Sequence, residues 1–203
     1  SKPEEKCIKR GNKMKTVNIM IVGVGGQGTL LTSRILGGIA VEQGYDVKIS
    51  EVHGMAQRGG SVVTYVRYGE YVAEPIVEEG HADVLIAFER LEALRYAHFL
   101  KKDGIIICND QKIDPMTVST GKADYPEHIL ETLKENHRVV AVNAMEEAKK
   151  LGNARVFNTI IIGVAAKHMD FEKEKWIEVV KKTVPPKTVD INVKAFLAGY
   201  EMG

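Results

Sequence analysis

Cysteine is scarce in this 203-residue chain: Cys7 and Cys108 are the only two. Two thiols cannot build a disulfide framework, and they cannot hold an iron–sulfur cluster, which takes about four thiolates. So few thiols suit a reducing cytoplasm. Charge of one sign is lacking too, since 28 Lys and Arg stand against 27 Asp and Glu. No global field gathers nucleic acid or an acidic membrane, and partners must be met through local surfaces. No apolar run reaches the roughly 18 residues that span a bilayer, and Ser1–Lys15 lacks the apolar centre of a signal peptide. The expectation is a soluble protein with one sizeable core, at a length too short for two ordinary domains. Repeats and low-complexity tracts are also absent.

Signatures of self-contained catalysis are missing as well. The six histidines (53, 81, 98, 128, 137 and 168) never stand in metal-ligand spacing with one another or with the cysteines, so neither zinc nor another bound metal is expected. There is no P-loop, no G-x-S-x-G elbow and no cysteine in a nucleophile motif. No catalytic residue is assigned.

What is present begins after a charged arm. Residues 1–14 carry Lys2, Lys6, Lys9, Arg10 and Lys13 against Glu4 and Glu5 and read as a flexible basic N-terminal arm. Val17–Val22 is an apolar, largely β-branched run suited to a strand buried on both faces. It stops at Gly23-Val-Gly25-Gly26-Gln27-Gly28, and apolar positions from Leu30 to Ala40 then recur at helical spacing. Strand, glycine turn and helix together open a doubly wound α/β fold. Strands follow at 46–52 and 61–68, a short edge strand is expected at Tyr71–Ile76, and a buried strand at 83–88 leads into a helix over 89–100. A Lys101–Gly104 turn and a strand at 105–108 complete a right-handed crossover. A helix over 126–136, a strand at Arg138–Val142 and a helix over 144–151 come next. Beyond Arg155 only helices are expected, over 160–168, 171–183 and 188–199, the first N-capped by Asn158 or Thr159. The fold class is therefore α/β, a single Rossmann-like doubly wound, mostly parallel sheet with a C-terminal helical tail, in one domain over 15–203.

Two stretches carry chemistry. The glycine turn, Gly23, Gly25, Gly26, Gln27 and Gly28, matches G-x-G-x-x-G between a strand and a helix, where free backbone amides make a natural anion site. It fits a dinucleotide, with Glu51 as a late ribose-binding acid, or another phosphate-bearing ligand, or tight strand–helix packing alone. The loop His53-Gly54-Met55-Ala56-Gln57-Arg58-Gly59-Gly60-Ser61 gathers a base, an amide, a guanidinium and a hydroxyl among glycines that let a ligand or partner approach closely. Arg58 beside Gly59 and Gly60 can clamp an anion, His53 can bond a carbonyl, and Gln57 adds an amide. A solvated hairpin loop is the plain alternative. Glu89, Arg90 and Glu92 fall at the carboxyl edge of the sheet, where open α/β folds bind ligands.

Both stretches together resemble the gamma-type subunit of the 2-oxoacid:ferredoxin oxidoreductases, and within them the indolepyruvate branch. The matching residues are NIMIVGVGGQGTLLTSRILGGIA, EVHGMAQRGGSVVTYVRYG, ADVLIAFERLEALRYAHFL, the N-T-I-I-I-G of Asn158–Gly163 and the closing VPPKTVDINVKAFLAGYE. The resemblance implies oxidative decarboxylation of a 2-oxoacid, an aryl pyruvate, to an acyl-CoA with electrons passed to ferredoxin. It implies that thiamine diphosphate and the [4Fe-4S] clusters belong to a larger alpha subunit and that this chain is inactive alone. It also points to coenzyme A phosphates, or the alpha chain itself, as what the two loops touch. A homodimer of the isolated chain, a pyruvate- or 2-oxoglutarate-type subunit, a nucleotide-sensing module and a relative of the ubiquitin-activating adenylating enzymes remain as alternatives.

Overall fold

A computed structural model describes residues 15–25, 28–53 and 60–203; the expected arm, residues 1–14, lies outside them. Six strands form one sheet: β1 (Val17–Val24), β2 (Asp46–His53), β3 (Ser61–Gly69), β4 (Ala82–Ala87), β5 (Leu100–Asn109) and β6 (Arg138–Val142). The helices are α1 (Thr29–Glu42), α2 (Arg90–Tyr96), α3 (Met116–Ser119), α4 (Ile129–Asn136), α5 (Ala144–Lys150), α6 (Phe157–Lys167), α7 (Lys173–Thr183) and α8 (Val189–Met202). The strand order is β2-β3-β1-β4-β5-β6. β1, β4, β5 and β6 pair in parallel, and β3 runs antiparallel between β1 and β2.

Alternation along β1 explains why the sheet needs cover on both sides. Ile19 and Ile21 point into one core, shared with Leu36 of α1, Ile160 and Ile162 of α6, Trp176 of α7 and Phe196 of α8. Met20 and Val22 point into a second core with Ala93 of α2 and Leu133 of α4. All four β1 side chains are fully buried, as a two-faced parallel sheet demands. The C-terminal helices thus lie across one face, α6 buried from Asn158 to Ala166. It meets α8 at a crossing with no room for a side chain: a Cβ at Gly163 would strike the Phe196 carbonyl, and one at Gly199 the Ile160 carbonyl.

Several expectations are corrected. Residues 71–76 form no strand; Pro75 withholds a donor, and side chains take up the local backbone groups instead, Asp46 Oδ2 accepting from Val72 N at 2.8 Å and Arg67 Nη1 donating to the Glu74 carbonyl at 2.6 Å. The Lys101–Gly104 turn is absorbed into β5, which starts at Leu100 opposite Ala82 and slips register before Val84. The helix over 89–100 is shorter, with Glu89 as its cap and a 3₁₀ turn at Ala97–Phe99. Neither Asn158 nor Thr159 caps α6: a 3₁₀ turn at Ala154–Val156 runs straight into it, leaving both residues inside its first turn.

Candidate functional site

The winding of the sheet reverses between β1 and β4. β1 is followed by α1 on one face and β4 by α2 on the other, so a crevice opens at their carboxyl ends, the place where open α/β sheets take ligands. The strands are closed together there by Phe88 N donating to the Val22 carbonyl at 2.9 Å.

The glycine turn stands in this crevice. Gly23 is still in β1, paired with Val62. Gly25 is exposed, with open space where a side chain would be, and its N–H points to the Gly60 carbonyl at 3.4 Å, tying the turn to the root of the β2–β3 hairpin. Gly28 adopts φ 85°, a left-handed conformation that glycine takes without strain, and starts α1. No side chain caps α1 and no acid lies in its first turn. Its leading amides therefore have no side-chain acceptor among the described residues, with the positive end of the helix dipole behind them. Gly26, Gln27, Gln57, Arg58 and Gly59 lie outside the described residues.

His53 ends β2 with its ring largely in solvent, its Nε2 at 3.1 Å from Glu51 Oε1. Because β3 is interposed, both residues sit two strands from β1, roughly 10 Å away. Glu51 is thus not on the strand beside the glycine turn, where a ribose-binding acid belongs. Among the described residues the two loops meet through Gly60 and Gly25, not through His53 or Glu51.

Residues that sequence reasoning did not assign to the site come from the far end of the chain. Asn158 of α6 packs directly on the glycine turn: a Cβ at Gly28 would overlap its amide nitrogen. Asn158 Oδ1 accepts from Thr159 N at 2.8 Å. Thr159 Oγ1 donates to Asn192 Oδ1 at 2.6 Å, and Asn192 Nδ2 donates to the Thr188 carbonyl at 3.0 Å and to Thr188 Oγ1 at 3.1 Å. Asn158, Thr159 and Asn192 are all buried. The one signal in sequence was the Asn-Thr pair itself, and a capping role explained it equally well.

On the β4 side, Glu89 is buried and fully engaged. Its Oε1 accepts from Glu92 N at 3.0 Å, and its Oε2 from Tyr125 Oη at 2.8 Å and Ile113 N at 3.1 Å. Asn109 ties the neighbouring crossovers, donating to the Phe88 carbonyl and Gln111 Oε1 and accepting from Ala144 N. Arg90 Nε lies 3.3 Å from Asp110 Oδ1. Burial pushes the Glu92 carboxyl up, against the pull of Ser61 and Arg95; Arg95 Nη1 lies 3.3 Å from Glu92 Oε1. Burial also pushes the Cys108 thiol up to about 12, which removes it as a nucleophile at neutral pH. Among the described residues no group of three His, Cys, Asp or Glu could hold a metal, and no helix is long and apolar enough to cross a membrane.

The fold is an open α/β sheet with an uncapped, glycine-preceded helix at its switch point. The chain belongs to the pyruvate ferredoxin/flavodoxin oxidoreductase family, whose model matches residues 18–202. It is 46% identical over 189 residues to an indolepyruvate oxidoreductase subunit IorB of Archaeoglobus fulgidus, covering 91% of this chain and 94% of that one. To the subunit of the same name from Thermococcus kodakarensis it is 43% identical over 199 residues, covering 93% and 96%. Among solved structures, the gamma subunit of a keto/oxoacid ferredoxin oxidoreductase from Geobacter sulfurreducens shares the fold, with a TM-score of 0.69 and 24% identity over 92% of this chain and 97% of that one.

Proposed function

We propose that this chain is the cofactor-free subunit of a 2-oxoacid:ferredoxin oxidoreductase of the indolepyruvate type, acting in the cytoplasm beside a larger alpha subunit. The complex would decarboxylate an aryl pyruvate oxidatively to an acyl-CoA and pass the electrons to ferredoxin. The likeness to the indolepyruvate subunits along nearly the whole of both chains is the observation that carries this reading. Two cysteines in the whole sequence cannot ligate a four-thiolate cluster, and the family resemblance assigns the [4Fe-4S] clusters and thiamine diphosphate to the alpha subunit.

The role proposed for this chain is to close over the partner's site with the two loops that meet at Gly25 and Gly60. The glycine turn, Gly23, Gly25, Gly26, Gln27 and Gly28, and the hairpin residues His53, Gln57, Arg58, Gly59 and Gly60 form the proposed contact with the coenzyme A phosphates or with the alpha chain. An open turn at Gly25 and the uncapped start of α1 suit a phosphate. A helix N-terminus contributes only about 0.3–1 kcal/mol to an exposed anion and up to about 2 kcal/mol to a half-buried one. That is too little for tight binding by this chain alone, which is why the assembled complex is the relevant species.

Calorimetry of the purified complex with coenzyme A, comparing Arg58→Ala with the parent, tests the loop assignment. The expected result is a roughly tenfold loss of affinity, the worth of one charge-assisted hydrogen bond. Unchanged affinity and turnover would take the hairpin out of the mechanism, and loss of co-purification instead would make it a docking element only.

A further inference from the structure

The sheet face opposite the C-terminal helices carries a buried carboxyl that is only half satisfied. Glu92 lies in the first turn of α2 and is 3% exposed. Its Oε1 accepts from Arg95 Nη1 at 3.3 Å, and the same Nη1 lies 3.4 Å from Ser61 Oγ. Its Oε2 is buried with no hydrogen-bond partner among the described residues. An ionised carboxylate accepts at both oxygens, so one buried with an oxygen unmet is costly. Arg95, with its side chain 40% exposed, brings only a water-screened charge to it. Burial accordingly pushes the Glu92 carboxyl up, Ser61 and Arg95 pull it down, and Glu89 opposes its charge. The other titratable groups at the cluster are Tyr96 of α2 and, beyond it, Tyr65 of β3. On this face β1 and α4 present apolar side chains, Met20, Val22, Ile129 and Leu133.

The place of this carboxyl in the fold gives it leverage. Ser61 is the first residue of β3 and pairs with Val24 at the end of β1. The residue before it, Gly60, takes the Gly25 N–H on its carbonyl at 3.4 Å, a long bond. Helix α2, the hairpin root and the exit of β1 therefore meet at Glu92 and Ser61. We infer that Glu92 is a proton-operated latch between α2 and the root of the β2–β3 hairpin, closed on Ser61 when its carboxyl is neutral and opened to water, with loss of the Gly60–Gly25 contact, when it is ionised. Neutral, the carboxyl buries a polar group; ionised, it buries a charge whose second oxygen has only water to turn to. Water reaches that oxygen when the first residues of β3 part from α2. In the open form the carboxyl has its ordinary pKa, so opening grows as pH climbs from that value to the raised value of the closed form, and levels off above it. One proton sets the steepest slope at about tenfold per pH unit. The inference stands on this chain's own contacts and is separate from the subunit assignment.

Native-state hydrogen exchange followed by NMR on the isotope-labelled full chain, over a pH series, compares the parent with Glu92→Gln; the carbon-13 shift of the Glu92 carboxyl gives its titration in the same samples. The expected result is a carboxyl that titrates above the ordinary glutamate range. Opening at the Gly25 and Ser61–Val63 amides then rises by up to about tenfold per pH unit between the two pKa values, while the amides of β4 and β5 keep their protection. In Glu92→Gln the same amides stay at the closed level throughout.

A Glu92 that titrates like an exposed glutamate overturns the inference. So does a pH dependence that survives in Glu92→Gln, which assigns the opening to another group, or a rise shared equally by β4 and β5, which is global unfolding. Ser61→Ala is the second variant and decides the matter even if Glu92→Gln does not fold. Loss of the hydroxyl removes a pull on the carboxyl from across the α2–β3 contact, so Glu92 should titrate at still higher pH and the rise in opening should extend with it. An unchanged Glu92 titration in Ser61→Ala would show that the two sides of the contact are not coupled, and the latch would be rejected.

Discussion

Two polar clusters sit at the carboxyl edge of the same sheet, and they are finished differently. Around Glu89 and Asn109, on the β4–β6 side, donors and acceptors close on one another: both Glu89 oxygens accept, and Asn109 uses its nitrogen and its oxygen within the chain. Around Asn158, beside β1, the side-chain oxygen accepts from Thr159 N and the adjoining helix start is uncapped. A closed cluster stabilises the crossovers that carry it, whereas a helix start without a cap leaves its leading amides to solvent. Burial alone does not separate the two, since Glu89 and Asn158 are both buried, and of the two sides it is the β4 side that holds buried side-chain atoms without a hydrogen-bond partner among the described residues, Arg90 Nε and Glu92 Oε2.

Breaking the closed cluster should have the largest effect on stability and little on binding. Glu89→Ala strands Glu92 N, Ile113 N and Tyr125 Oη, and about 3 kcal/mol should be lost, read as a fall in Tm of about 6–12 °C in thermal denaturation. Gly28→Ala strikes the cluster around Asn158. A left-handed alanine and the overlap with Asn158 should together cost about 2–3 kcal/mol, read as a fall in Tm of about 4–12 °C.

The smallest effect lies between the clusters, at Glu92, which is buried beside Ser61 at the root of the hairpin. Its carboxyl is raised by burial, so the folded state holds its proton at pH values where the unfolded chain has released it. Stability from this group is complete below the unfolded carboxylate pKa and is lost as pH rises through the raised folded value. Glu92→Gln should therefore leave acid stability unchanged and raise Tm by about 2 °C near neutrality. A Tm–pH profile identical to that of the parent would show that Glu92 does not titrate in this window.

The same contrast explains what could be read in the sequence. Strands buried on both faces declare themselves by uninterrupted apolar runs, so β1 and β4 fell close to where the residues placed them; the half-buried edge strand β6 was marked by its own short apolar run, and the glycine turn was visible because it is local. Pairing is not local. The motif D-V-K-I-S-E-V followed by S-V-V-T-Y-V-R-Y is compatible with β2 next to β1 or with β3 next to β1, and only the sheet decides that β3 lies between them. That choice removes Glu51 from the glycine turn. The Lys101–Gly104 sequence has the composition of a turn, yet pairing of Leu100 with Ala82 draws it into β5. Asn158 was legible only as a helix-start residue, because its neighbour on the glycine turn is 130 positions away and no local pattern encodes that contact.

The central claim is that this chain works as one part of a larger thiamine- and iron-dependent enzyme, and isolation from its native host under anaerobic conditions tests it most directly. A tagged copy of the chain should bring down a single larger polypeptide in equal amount, with thiamine diphosphate and iron in the eluate and aryl-pyruvate oxidation dependent on coenzyme A. Recovery of the chain alone, or with partners that carry neither thiamine diphosphate nor iron, would contradict it.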